Sequence, residues 1–489
     1  MTVTSGEQSG KWLALISVLV LADIVSGVES MMIYSAMKTM ITLYGDGASV
    51  GWLVTAYLLV SAASAAIFGR LGDLYGRKRM ILIVLACAVI GSLISAMTKD
   101  LTVMIIGRAL QGVSGAIMAL SFGLAREVLP PGKLPLAIGI LYSAGAIGGT
   151  GGMVLGGILV DAGAWHSLFL VGAAVAGLSF LFTAIALPPG AGASNPGKID
   201  KLGGILFVPA VAAMLLGLTN IRAWGLFDSR ILLLLAGGAG LFAIWLRYEW
   251  RHPDPLINVR LFARREALTA LLCIGLFAAG GAQAMQLQML FLQQPVATGI
   301  GLGVSATLAG VALLVPNLTA VLMSPVGGYL VSLRGNRFVV MTGFLLNLFA
   351  WLSLMVFNDD LWTVVALVSF GCMAGNALLG VGIYNAVISA APLDRTSEAS
   401  GVLTVMRGLS HAIGAQLIMV ILASSTITSP MHGGHPAPSG YLTVFAMIAG
   451  LRVVGVILGA GLKGPPRSDA PEQPTASPHS AGAITARPR

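Results

Sequence analysis

An all-α, polytopic membrane fold, two six-helix bundles with two extra helices between them, follows from three features of this chain. Charged residues make up 10% of the 489 and hydrophobic ones 56%, whereas a soluble domain carries about 25% charge. The apolar residues fall in blocks near 20 residues long, the length a helix needs to cross roughly 30 Å of hydrocarbon. One short charged loop, "GRLGDLYGRKR" from Gly69, recurs as "GYLVSLRGNRF" from Gly328, as expected of a duplicated half.

Taken in order, the apolar blocks give about fourteen spans. The first six run over 12–36, 50–69, 79–98, 101–124, 134–159 and 165–187. The polar stretch "PPGAGASNPGKIDK" joins them to a pair at 203–220 and 230–247. After the connector "RYEWRHPDPLINVRLFARRE" come six more, at 267–292, 304–331, 338–357, 361–390, 399–424 and 441–462. The chain thus divides into an N-terminal bundle (1–190), a linker with two extra transmembrane helices (191–265), a C-terminal bundle (266–464) and a tail (465–489). The Pro/Ala/Ser-rich tail is expected to be disordered.

Assigning alternate connectors to opposite sides puts 21 Lys/Arg on the side of the N-terminus and four on the other: Lys38, Lys99, Arg222 and Arg230. Basic loops stay inside, so both termini are expected in the cytoplasm, in a bacterial plasma (inner) membrane. Lys11 precedes a long apolar run with no small-residue cleavage site, so the first span reads as uncleaved.

The net charge of +9 is spread over short connectors rather than a polybasic arm, which argues against a nucleic-acid partner. Cys87, Cys273 and Cys372 sit in apolar spans without metal-ligand spacing, so no metal is expected. There is no H-E-x-x-H, no G-x-x-x-x-G-K-[S/T] and no nucleophile elbow, and "NDD" at 358–360 is the only acidic cluster. Enzymatic chemistry and ATP-driven pumping are therefore excluded and no cofactor is expected. The expected partners are a small-molecule substrate, protons and the lipid bilayer, with the chain acting as a monomer.

The repeated loop needs glycine at Gly69, Gly72 and Gly76, where bulk or restricted φ would obstruct a tight helix–helix connection. Asp73 can pair with the N-terminus of a neighbouring helix or with a basic side chain, while Arg77, Lys78 and Arg79 anchor the loop at the anionic inner surface. A charge clip of this kind holds one conformation until protonation or substrate breaks it.

The run Gly69, Leu71, Asp73, Gly76, Arg77, Lys78 resembles the signature loop of the major facilitator superfamily, with Leu74 in the usual basic slot. "IIGRALQGVSGA" is similar to the fourth-helix motif of its fourteen-span drug:proton antiporter branch, with Arg108, Gln111 and Gly112 in place. "GILYSAGAIGGTGGMVLGG" has the antiporter motif's glycine spacing at Gly139, Gly148, Gly152, Gly156 and Gly157, and "ESMMIYSAMK" aligns with the first-helix motif. The resemblance implies the major facilitator fold and proton-coupled export of amphipathic or cationic compounds by alternating access. Met153 stands where the family has proline, Glu29 where it has Asp, Tyr34 where it has Asn and Lys38 where it has Pro. Proline would bend the fifth helix; methionine should leave it straighter, its thioether filling the groove beside Gly148, Gly152 and Gly156. These departures motivate the alternative of proton-coupled uptake of a small organic metabolite.

Ionisable residues inside spans are costly, about 2.5–3.5 kcal/mol each on insertion scales, and mark function. Asp23 and Glu29 lie on the first helix, about 9 Å apart along its axis. A carboxyl group held away from water can exchange protons near neutral pH, which makes the pair candidates for proton or substrate coupling. The resemblance implies that Arg108 lines the cavity and tunes a carboxylate. Arg407 and His411, one turn apart on the penultimate span, are candidates for a gate or cavity lining, while Arg452 reads as structural. Gln283, Gln286, Gln293 and Gln294 fall near one face of the ninth span, with Gln288 off it, and a polar stripe there must face protein or water.

Overall fold

Within lipid a chain must satisfy its own backbone polar groups, and the apolar blocks fold as helices throughout. A computed structural model describes residues 5–44, 47–187, 200–225, 227–281, 284–304, 306–425, 427 and 435–462. The expected linker at 188–199 and tail at 465–489 lie outside the described residues. The N-terminal bundle is α1 (Ser5–Tyr44), α2 (Gly47–Tyr75), α3 (Arg77–Met97), α4 (Leu101–Val128), α5 (Leu134–Asp161) and α6 (Ser167–Ala186). The inserted pair is α7 (Lys201–Trp224) and α8 (Ser229–Arg251).

The C-terminal bundle opens with α9, in two pieces, Arg265–Gly281 and Ala284–Gln293. The helical stretch Ala306–Leu354 turns at Gly335 and so comprises α10 (306–334) and α11 (336–354). The bundle closes with α12 (Leu361–Ala390), α13 (Thr396–Ser424) and α14 (Pro438–Gly459). Twelve helices are long and apolar enough to cross a membrane singly among the described residues. Dividing the longest at Gly335 and counting the two pieces of α9 as one crossing gives the fourteen expected.

Helix starts are set locally. Asp100, Asp200 and Asp360 accept hydrogen bonds from the backbone N–H of Val103, Gly203 and Thr363, the side-chain capping that orphaned first-turn donors need. The "NDD" cluster is thus the start of α12, and these bonds hold the Asp360 carboxyl below its usual range.

The internal duplication is visible in the backbone. Gly76, between α2 and α3, has φ 97°, and its counterpart Gly335, between α10 and α11, has φ 79°; only glycine enters that region freely. Gly69 lies against the Ser397 carbonyl of α13, and its counterpart Gly328 against the Pro135 carbonyl of α5. The two halves therefore meet along α2–α13 and α5–α10, while α7 packs the inserted pair onto α2 and α13.

Close packing of α1 on α5 accounts for most of the glycine motif. A Cβ on Gly148 would lie 2.3 Å from the Ile24 carbonyl, on Gly152 2.8 Å from that of Val28, and on Gly156 2.9 Å from Ser35 Oγ. Gly139 instead meets the Ser324 carbonyl of α10, and Gly157 faces open space. α5 runs unbroken through Met153. The expectation that Met153 fills the α1–α5 groove is corrected: its side chain is 41% exposed, while Val28 and Met32 line the groove beside Gly152 and Gly156. The reason is angular, since residue 153 lies about 100° around the helix from 152. Gly148→Val should force α1 and α5 apart at a cost of about 3 kcal/mol, read as a lowered Tm of the purified protein; an unchanged Tm would show that the helices can separate freely there.

Candidate functional site

The face that carries the Gly76 turn, the C-terminal end of α6 and the 252–264 connector, here the linker face, is held shut by a buried polar network. Asp73, at the end of α2, is 3% exposed. Its carboxylate accepts from the backbone N–H groups of Ser397 (3.3 Å) and Glu398 (2.9 Å), in the first turn of α13 in the opposite half. It also accepts from Arg77 Nε (3.1 Å) and Nη2 (2.6 Å). A carboxylate at a helix N-terminus meets both orphaned donors and the positive end of the dipole. Arg77 donates onward to Ser397 Oγ (3.0 Å), the Leu393 carbonyl (3.0 Å) and Glu127 (2.6 Å). Arg126 reaches Thr396 Oγ1 at 2.8 Å.

The surface-anchor role expected for Arg77 and Lys78 is corrected. Arg77 is 4% exposed and sealed inside the clip. Lys78 donates to the Ala184 carbonyl (2.9 Å) and to that of Leu187, capping the C-terminal end of α6, where a cation is favoured. Among the described residues the second copy of the loop makes no equivalent clip: Ser332 Oγ donates to its own helix at the Tyr329 carbonyl.

A second network lies within the N-terminal bundle. Glu29 on α1 is fully buried, and its Oε1 accepts from Ser92 Oγ of α3 at 3.2 Å. Gln111 Nε2 donates to the same Ser92 Oγ at 2.5 Å. Arg108, also fully buried, donates to Gln111 Oε1 (2.8 Å), the Leu53 carbonyl (3.0 Å) and the backbone carbonyl of Glu29 (2.9 Å). Its guanidinium stacks over the Tyr57 ring at 4.5 Å. Glu29 Oε2 and Arg108 Nη2 have no hydrogen-bond partner among the described residues.

Residues 19–415 match the model of the Major Facilitator Superfamily. The chain belongs to that superfamily. It is a multi-pass membrane transporter for small molecules. It is 27% identical to the uncharacterized MFS-type transporter YvkA of Bacillus subtilis, over 93% of this chain and 97% of that one. It is 28% identical to multidrug resistance protein Stp of Mycobacterium tuberculosis, over 79% and 72%. It is 26% identical to the tetracenomycin C resistance and export protein of Streptomyces glaucescens, over 86% and 78%. The proton:xylose symporter XylE, bound to 6-bromo-6-deoxy-D-glucose, shares the fold with a TM-score of 0.61 at 12% identity, over 93% of this chain and 98% of that one.

The transporter's other candidate residues lie apart from both networks. Asp23 is 2% exposed and faces Ser121 of α4, with no hydrogen bond to either carboxyl oxygen among the described residues. Asp23 and Glu29 are therefore separate sites on one helix. Arg407 lies close to Tyr142 of α5, across the two halves, and His411 lies within electrostatic reach of Arg407. Arg452 donates to the Leu276 and Phe277 carbonyls of α9, as a structural cation would.

Only half of the glutamine stripe falls among the described side chains. Gln283 lies outside the described residues, as does the side chain of Gln286, and Gln293 is exposed at the end of α9. Gln294 is past that end, tied to Thr298 Oγ1 and the Pro436 carbonyl. Gln288, expected off the stripe, is as buried as Gln294.

Glu398 escaped the sequence reading because its span was begun at residue 399, leaving it in a connector. Its carboxylate collects Arg70 (3.5 Å), Arg395 (3.4 Å) and the backbone N–H of Asn258 (2.5 Å), from the connector after the inserted helices. "TSE" at 396–398, a polar first turn carrying an acid, was the available signal. Tyr142 was passed over because its stretch was read for glycine alone.

Proposed function

We propose that this transporter exports amphipathic small molecules from a bacterial cell in exchange for protons, as a monomer with both termini cytoplasmic. The observation that carries the reading is the clip from Asp73 to the first turn of α13, which ties one half to the other at the linker face alone. A contact made by only one of two repeats gives the halves two unequal arrangements, which alternating access requires. The basic connectors make the linker face the cytoplasmic one. Glu29, sealed between α1, α3 and α4 with one carboxyl oxygen unpartnered, supports the proton-binding role. Export is supported by relatives named for multidrug resistance and for tetracenomycin C resistance and export.

Expression in an efflux-deficient bacterial host should raise tolerance to several unrelated amphipathic compounds. Met153→Pro serves as the companion variant. Its ring would point away from α1, but the lost N–H donor would bend α5, at a cost of about 3 kcal/mol. Resistance from the unmodified protein rules out the uptake alternative. No resistance from it, with resistance gained in Met153→Pro, would overturn export in favour of uptake.

A further inference from the structure

The charges deep in the spans are distributed unevenly. Both acids of α1 are sealed inside the N-terminal bundle, Asp23 at 2% and Glu29 at 0% exposure, and Arg108 is sealed with them. Arg407 is different. It is only partly buried and stands where the halves meet, beside Tyr142 of α5. No carboxylate lies within salt-bridge distance of it among the described residues. Its side chain is partly exposed, and a planar guanidinium carries five N–H donors in a fixed fork.

Around this cation the walls are aromatic. The Tyr142 ring crosses from the N-terminal half onto Gly380 of α12, where a Cβ would come within 2.2 Å of it. Tyr384 lies 5.9 Å from Tyr142, ring to ring, and its hydroxyl shares a hydrogen bond with Thr404 at 3.1 Å. His411 is on the same face of α13, one turn beyond Arg407.

We infer that Arg407, with Tyr142, binds an oxyanion of the carboxylate type carried on an aromatic amphipathic substrate, with the sealed Tyr384 backing the Tyr142 ring. A guanidinium presents paired donors that fit a planar oxyanion, and the partly exposed Tyr142 ring supplies stacking area beside it. A cationic amphipath would meet the Arg407 charge and find both α1 carboxylates out of reach. The cationic substrates that the family resemblance implied are thus disfavoured. This inference rests on the transporter reading, in which substrate passes between the halves.

The test uses the full-length protein in lipid nanodiscs and three probes on one ring: 2-naphthoate, neutral 2-naphthamide and trimethyl(2-naphthyl)ammonium. Naphthoate should raise Tm and bind at least about tenfold more tightly than either of the others, as expected for a charge-assisted contact. Arg407→Gln should erase that preference and Arg407→Lys should keep part of it. Equal or tighter binding of the ammonium probe overturns the inference. So does absence of naphthoate binding, or naphthoate binding unchanged in Arg407→Gln. The comparison of probes on the unmodified protein decides the matter even where a variant fails to fold. Conformational response to Asp73→Asn is read on the same preparation. If the linker face opens and naphthoate does not bind, this inference fails and the transporter reading stands; if neither happens, both fail.

Discussion

Asp73→Asn should open the linker face and depress transport far more than expression. Asparagine keeps the shape and one acceptor but removes the charge that faces the α13 N-terminus and Arg77. The site is buried, so solvent does little to screen the loss; hydrogen bonds to a charged group are worth about 1.5–3 kcal/mol each. A shift of about 2–3 kcal/mol toward the form open at this face corresponds to a roughly 30- to 150-fold change in the balance. A cysteine introduced at Ala66, fully buried where α2 meets Gly401 of α13, reports the change in a background lacking the three native cysteines. It should react slowly with an impermeant maleimide in the parent and rapidly with Asn at 73. Equal labelling and equal transport in Asp73→Asn and Arg77→Ala would mean that the network is only an anchor.

Glu29→Gln should reduce proton-driven accumulation to background while leaving substrate exchange without a gradient. Glutamine keeps an acceptor for Ser92 Oγ and the bulk between α1, α3 and α4, so folding stability should change by no more than about 1 kcal/mol. What it loses is the exchangeable proton. Arg108 acts on that carboxylate through its charge alone, since its hydrogen bonds go to Gln111 and to backbone carbonyls. Proteoliposomes with an imposed pH gradient separate the two activities. Asp23→Asn is the parallel case, because Asp23 faces Ser121 alone and shares no partner with Glu29. Normal gradient-driven accumulation in both variants would remove α1 from proton coupling.

The membrane fold was legible from residues alone because lipid imposes one requirement on every span: roughly 20 apolar residues whose backbone satisfies itself. The fourteen spans, the duplication and the tight turn at Gly76 all follow from such local or periodic constraints, and the turn's counterpart at Gly335 adopts the same positive φ. Asp73 was also legible, since an isolated acid beside an apolar span needs a partner. Which partner it takes was not. The α13 first turn is more than 300 residues away in the chain, and only packing of α2 on α13 brings Ser397 and Glu398 to it. The same holds for Arg77 and Lys78, which composition assigned to the lipid surface and tertiary packing assigned to the clip and to the end of α6. Met153 failed for an angular reason: spacing defines a helix face, but neighbouring helices choose which face is covered. Asp23, Glu29 and Arg407 were all visible as charges in apolar surroundings. That the acids are sealed and the arginine is open depends on how the two bundles close around them, and no local pattern carries that information.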